Sequence, residues 1–143
     1  MSVKAFIDTN IFIYAQRTDN PEKRVIAENA IRCFDCTAST QVLMEIAHVF
    51  TRKYPVPVKK LESLLKSICE ISEIVVIDQA LIFHALRLHN RYKAPFYDCL
   101  MIAAAIFAGC RYLISEDMQD GMFFENKVKI VNIFNHTDFL TRI

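Results

Sequence analysis

The chain has 143 residues, 53% of them hydrophobic, with two glycines, four prolines and a formal charge of +1. That length and apolar content suit one domain with a real core, and they exclude a disordered or low-complexity chain. The balanced charge excludes a uniformly basic surface, although an acidic pocket beside a basic rim would cancel in the sum.

The first expected element is a buried strand over 3–8, built on Val3, Ala5, Phe6 and Ile7 and closing on Asp8. A short helix starts over 11–15. Asn20 then reads as an N-cap with Pro21 at the first helical position, leading a helix over 22–34 with Val25, Ala30 and Ile31 as inward candidates. Residues 36–39 suit a second strand. A helix over 40–54 carries apolar Val42, Leu43, Ile46, Val49 and Phe50, with Glu45 on the border of that face, and Pro55 and Pro57 end it. An amphipathic helix over 59–71 and a third strand over 74–77 follow. The helix over 79–92 is broken by Ala94-Pro95-Phe96. An alanine-rich apolar helix over 97–108 stops at Gly109, a C′ glycine. Strands over 111–115 and 128–131 and a last helical turn over 136–141 complete the pattern.

Strands alternating with helices predict an α/β domain with a mostly parallel sheet, whose sites form at the carboxyl ends of its strands. Four acids fall at element boundaries. Asp8 closes the first strand, Glu45 borders a helix, Asp98 opens the apolar helix, and Asp117 follows the strand 111–115. Singly, each has an ordinary role as cap, turn or surface residue. Together, carboxylates set against core-forming segments are costly to bury without a cation. Hard oxygen donors of this kind suit Mg²⁺ or Mn²⁺, and hence metal-assisted phosphate chemistry.

The motifs Phe6-Ile7-Asp8-Thr9-Asn10, Glu45 within a helix, Tyr97-Asp98 at a helix start and Leu113-Ile114-Ser115-Glu116-Asp117 resemble, in that order, those of the PIN-domain nucleases. They are most similar to the small VapC-type ribonuclease toxins, over nearly the whole chain. The resemblance implies a PIN-like three-layer α/β/α domain over 1–143, with four to five strands. It makes Asp8, Glu45, Asp98 and Asp117 the metal-binding catalytic acids, supported by hydrogen bonds from Thr9, Asn10 and Ser115. Asp120 competes with Asp117 for the last place, and the spacing from Ser115 favours Asp117. The resemblance also implies RNA as substrate, products with 5′-phosphate and 3′-hydroxyl ends, a small antitoxin partner and a homodimer. The alternatives are an RNA-processing nuclease without an antitoxin, or a silent module that binds RNA or protein.

The basic segment Arg87, Arg91, Tyr92 and Lys93, just before Asp98, suits contacts to RNA phosphates and bases, or simply a solvated helix end. Phe12, Phe123 and Phe124 are candidate interface side chains. The apolar stretch 99–110 is too short to span a bilayer. With no signal peptide legible, five irregularly spaced cysteines read as reduced thiols of a cytoplasmic protein. Cys33-x-x-Cys36 lacks a second pair of zinc ligands, and His84 and His89 take no metal role. No phosphate-binding glycine loop or serine nucleophile elbow occurs.

Overall fold

The computed structural model describes residues 2–142. Its elements are β1 (Lys4–Ile7), α1 (Thr9–Gln16), α2 (Pro21–Cys33), β2 (Asp35–Ser39), α3 (Thr40–Arg52), α4 (Val58–Ile71), β3 (Ser72–Val75), α5 (Gln79–Tyr92), α6 (Phe96–Phe107), β4 (Tyr112–Ile114), β5 (Phe123–Phe124), β6 (Val128–Val131) and α7 (Phe139–Arg142). The strands form one sheet in the order β3-β2-β1-β4-β6-β5. All pairings are parallel except β5 with β6.

Local chemistry sets the helix ends. Asn20 Oδ1 accepts from Lys23 N at 3.2 Å ahead of Pro21, and Asp78 Oδ1 accepts from Leu81 N at 3.0 Å to start α5. After α6, Gly109 has φ 76°, a left-handed turn that a side chain would resist.

Consecutive residues of a strand face opposite sides of its sheet. Ala5, Phe6 and Ile7 of β1 are all fully buried, as are Leu113 and Ile114 of β4, so both faces of the central strands are covered. Helix α6 lies along β2, β1, β4 and β6, with α5 packed against it. Helices α1, α2 and α3 pack together, and α4 joins α3 to β3. The α/β expectation and its mostly parallel sheet hold.

Several details differ. The sheet has six strands rather than four to five. The extra one, β5, is two residues long, too short to show any alternation. Strand β3 begins two residues earlier than expected, directly from α4, and forms a half-exposed sheet edge where the hydrophobic pattern is weak. Val25 is 57% exposed; Ala27 and Ala30 form the buried face of α2. Phe12 and Phe124 are buried, and only Phe123 stands out at the surface. Among the described residues no helix is long and apolar enough to cross a membrane.

Candidate active site

The strand order reverses around β1. From there the chain proceeds outward through β2 and β3, then returns to build β4 and β6 on the other side. A crevice opens at such a switch point, beyond the carboxyl ends of the strands. Asp8 and Ser115 flank it, directly after β1 and β4, with the Asp8 N–H bonded to Ile114 O at 3.0 Å.

Asp8 is both a helix cap and the centre of the site. It is the N-cap of α1, and its Oδ1 accepts from Thr9 N at 2.6 Å. Its Oδ2 accepts from the Ser115 hydroxyl at 2.8 Å. The residue is buried. Burial pushes its carboxyl up to about 6, against the hydrogen bonds from Ser115 and Thr9, while the charges of Glu45 and Asp117 push it further. A cap alone needs neither that burial nor those like-charged neighbours.

The other acids arrive on separate elements. Glu45 sits inside α3 rather than at an element boundary, and its Oε1 accepts from the Thr9 hydroxyl at 2.6 Å. Thr9 thus joins two acids, with its N–H on Asp8 and its Oγ1 on Glu45. Asp98 stands in the first turn of α6, half-buried. Its carboxyl is raised by burial, then by the charges of Asp117 and Glu45. Asp117 is exposed and accepts from Asn10 Nδ2. The backbone turn that presents it is pinned by Ser115, whose Oγ accepts from the N–H groups of Asp117 at 3.3 Å and Met118 at 3.2 Å.

Asp120 points elsewhere. It accepts from Asn132 N at 2.9 Å and holds His136 Nε2 at 2.6 Å, so its carboxylate is committed to the loop beyond β6. Asp8, Glu45 and Asp117 therefore meet Thr9, Asn10 and Ser115 in one hydrogen-bond network, and Asp98 faces it through the charges of Asp117 and Glu45 alone. Replacing Ser115 by Ala leaves Asp8 short of a donor and two backbone N–H groups without their acceptor. We expect a loss of about 1–3 kcal/mol in urea unfolding.

The basic segment divides. Tyr92 and Lys93 line a cavity of about 280 Å³ together with Asp98, Asp117 and Met118. Arg91 instead pairs with Glu125 at 2.7 Å, and Arg87 stands exposed on α5, outside that cavity. The Tyr92 hydroxyl accepts from Glu125 N at 2.9 Å, which fixes the ring in place.

Sequence reasoning passed over Gln41, which donates to Glu45 Oε2 and to Tyr97 O, both at 3.1 Å. It also passed over Glu116, whose carboxylate holds the Tyr14 hydroxyl at 2.7 Å and Lys23 Nζ. The available signal for Gln41 was its place one helical turn before Glu45.

The donors suit a hard divalent cation. All are carboxylate oxygens on elements that converge, and their charges act on one another. Among the described residues, no three His, Cys, Asp or Glu side chains are already closed around one point. Mg²⁺ does not require such a cage, since it keeps several of its waters and binds through one or two carboxylates.

A family model for the PIN domain matches residues 5–121. The chain therefore belongs to the PIN-domain family. Its structure is similar to that of a toxin–antitoxin complex from Klebsiella pneumoniae, at 20% identity and TM-score 0.65, over 90% of this chain and 96% of that one. It is also similar to VapC20 of Mycobacterium tuberculosis, a sarcin–ricin-loop-cleaving toxin, at 16% identity and TM-score 0.63, over 79% and 89% of the two chains. VapBC2 of Rickettsia felis, bound to a fragment of promoter DNA, gives 18% identity and TM-score 0.58, over 80% and 89%. At these identities the likeness establishes the shared fold. No curated protein matches the chain significantly by sequence.

Proposed function

We propose that this chain is a divalent-metal-dependent endoribonuclease and the toxin of a toxin–antitoxin pair. The observation that carries the reading is the buried Asp8, at the switch point of the sheet, hydrogen-bonded through both oxygens and flanked by Glu45 and Asp117. Asp8, Glu45, Asp98 and Asp117 would hold Mg²⁺ or Mn²⁺. When bound, the ion offsets the charge of the phosphodiester and makes a coordinated water a better nucleophile.

The protein's part is positioning. With a carboxyl near 6, Asp8 is mostly ionised at neutral pH, and Ser115 and Thr9 hold its oxygens in one orientation. Glu45 is fixed in the same way by Thr9 and Gln41. Lys93, in the cavity beside Asp98 and Asp117, brings a cation to an RNA phosphate entering there. Fixed side chains of this kind lower the barrier because little reorganisation accompanies the reaction. The antitoxin is supported by the fold shared with toxin–antitoxin complexes. Exposed Ile82, Phe83 and Leu86 on α5 offer apolar surface for a homodimer.

The test is incubation of the purified protein with total cellular RNA, with and without Mn²⁺, followed by mapping of the cut ends. We expect metal-dependent internal cuts bearing 5′-phosphates. Intact RNA at millimolar Mn²⁺ would overturn the reading.

A further inference from the structure

Gln41 is buried, 5% exposed, at the start of α3. Its side-chain amide reaches two different elements. Nε2 donates to Glu45 Oε2 on its own helix and to the backbone carbonyl of Tyr97 in the first turn of α6, both at 3.1 Å. Tyr97 immediately precedes Asp98. The amide orientation is forced, because the reverse one would set Oε1 against a carboxylate and a carbonyl, two acceptors. Oε1 is left buried with no hydrogen-bond partner. A buried acceptor without a donor is costly, and an apolar side chain of similar size would remove that cost.

We propose that Gln41 is a positioning residue that sets the separation between Glu45 and Asp98. The two acids sit on separate helices, and no hydrogen bond among the described residues joins their carboxylates. Glu45 is tied to the β1 side of the site through Thr9. Asp98 is half-buried on α6, and burial and like charge are what act on its carboxyl. The Gln41 amide, with one proton for each helix, closes the remaining side of the ring. Groups of this kind, behind the residues that touch an ion, govern how well those residues bind it. The proposal rests on the metal-dependent reading of the site.

Gln41→Met keeps the length of the side chain and removes both donors. We expect its melting temperature without metal to stay close to that of the wild type. Mn²⁺ binding measured calorimetrically without RNA should weaken by about tenfold or more. Because Gln41 acts through Glu45, the losses in Gln41→Met and Glu45→Gln should be strongly non-additive in the double variant. A residue that merely filled space would give additive losses, or a lower melting temperature with unchanged metal affinity, and either result overturns the proposal.

A wild-type measurement covers the case in which Gln41→Met does not fold. The assigned Gln41 side-chain amide resonances should be protected from solvent exchange and should move on saturation with Mg²⁺. Unmoved resonances overturn the proposal. A wild type that binds metal and cleaves RNA beside an unaffected Gln41→Met defeats this inference alone. A wild type that does neither defeats the underlying reading as well.

Discussion

Asp98→Asn and Asp8→Asn should each lower metal-dependent RNA cleavage by roughly a thousandfold or more, the scale seen when a preorganised electrostatic group is removed from an active site. Both swaps keep the side-chain shape and remove a charge. They differ in what else they disturb. The Asp98 carboxyl, shifted by burial and like charge, has no hydrogen bond to lose among the described residues. Asp98→Asn should thus keep the wild-type circular dichroism and, without metal near pH 7.5, unfold no earlier than the wild type, so its loss of activity would be chemical. Asp8→Asn exchanges a buried charge for an amide that accepts through one oxygen only, so it cannot satisfy both Thr9 N and the Ser115 hydroxyl. It should remain folded, with a reorganised Ser115. Cleavage at the wild-type rate by either folded variant would remove the acid cluster as the catalytic centre. In cells, expression of the wild-type chain alone should arrest growth, and Asp98→Asn should relieve the arrest.

Three acids of the candidate site were legible because their signal lies at element boundaries, whereas Glu45 lies inside α3. Asp8 follows an apolar strand, Asp98 opens an apolar helix, and Ser115-Glu116-Asp117 follows another strand. A parallel sheet carries such boundaries to one edge. What holds the acids was legible only in part: the resemblance named Thr9, Asn10 and Ser115 and left out Gln41. Gln41 works through a contact made 56 residues away in the chain. A lone glutamine on an amphipathic helix carries no pattern that foretells such a partner. The basic segment shows a related difficulty. Arg91 looked available to a phosphate until Glu125, on the turn after β5, claimed it. The two-residue strand β5 escaped notice for want of length, and its pairing with β6 buries Phe124 that composition alone had suggested for an interface.

The same acids should make the stability of the metal-free protein fall as pH rises. Asp8 has its carboxyl raised to about 6, mainly by burial, from an ordinary value of 3.8. A raised carboxyl means that the folded state holds its proton more tightly than the unfolded chain. Between about pH 4 and pH 6 the folded protein therefore carries more protons, and raising the pH through that window favours unfolding. At 1.36 kcal/mol per unit, a shift of about two units corresponds to roughly 3 kcal/mol, fully present above the folded value. Asp98 moves in the same direction for the same cause. Urea unfolding in chelator should show higher stability near pH 5 than near pH 7.5. A divalent ion opposes the loss, because it binds the folded, ionised site. At a hundred times its dissociation constant it stabilises by about 2.7 kcal/mol. That effect should fade toward about pH 4, where protonated carboxyls no longer bind metal. Asp8→Asn should flatten the pH dependence and weaken the response to Mg²⁺, and its metal-free form should unfold later than the wild type near pH 7.5. A wild type whose stability is the same at both pH values and indifferent to millimolar Mg²⁺ or Mn²⁺ would show that the carboxylates do not share one charged pocket.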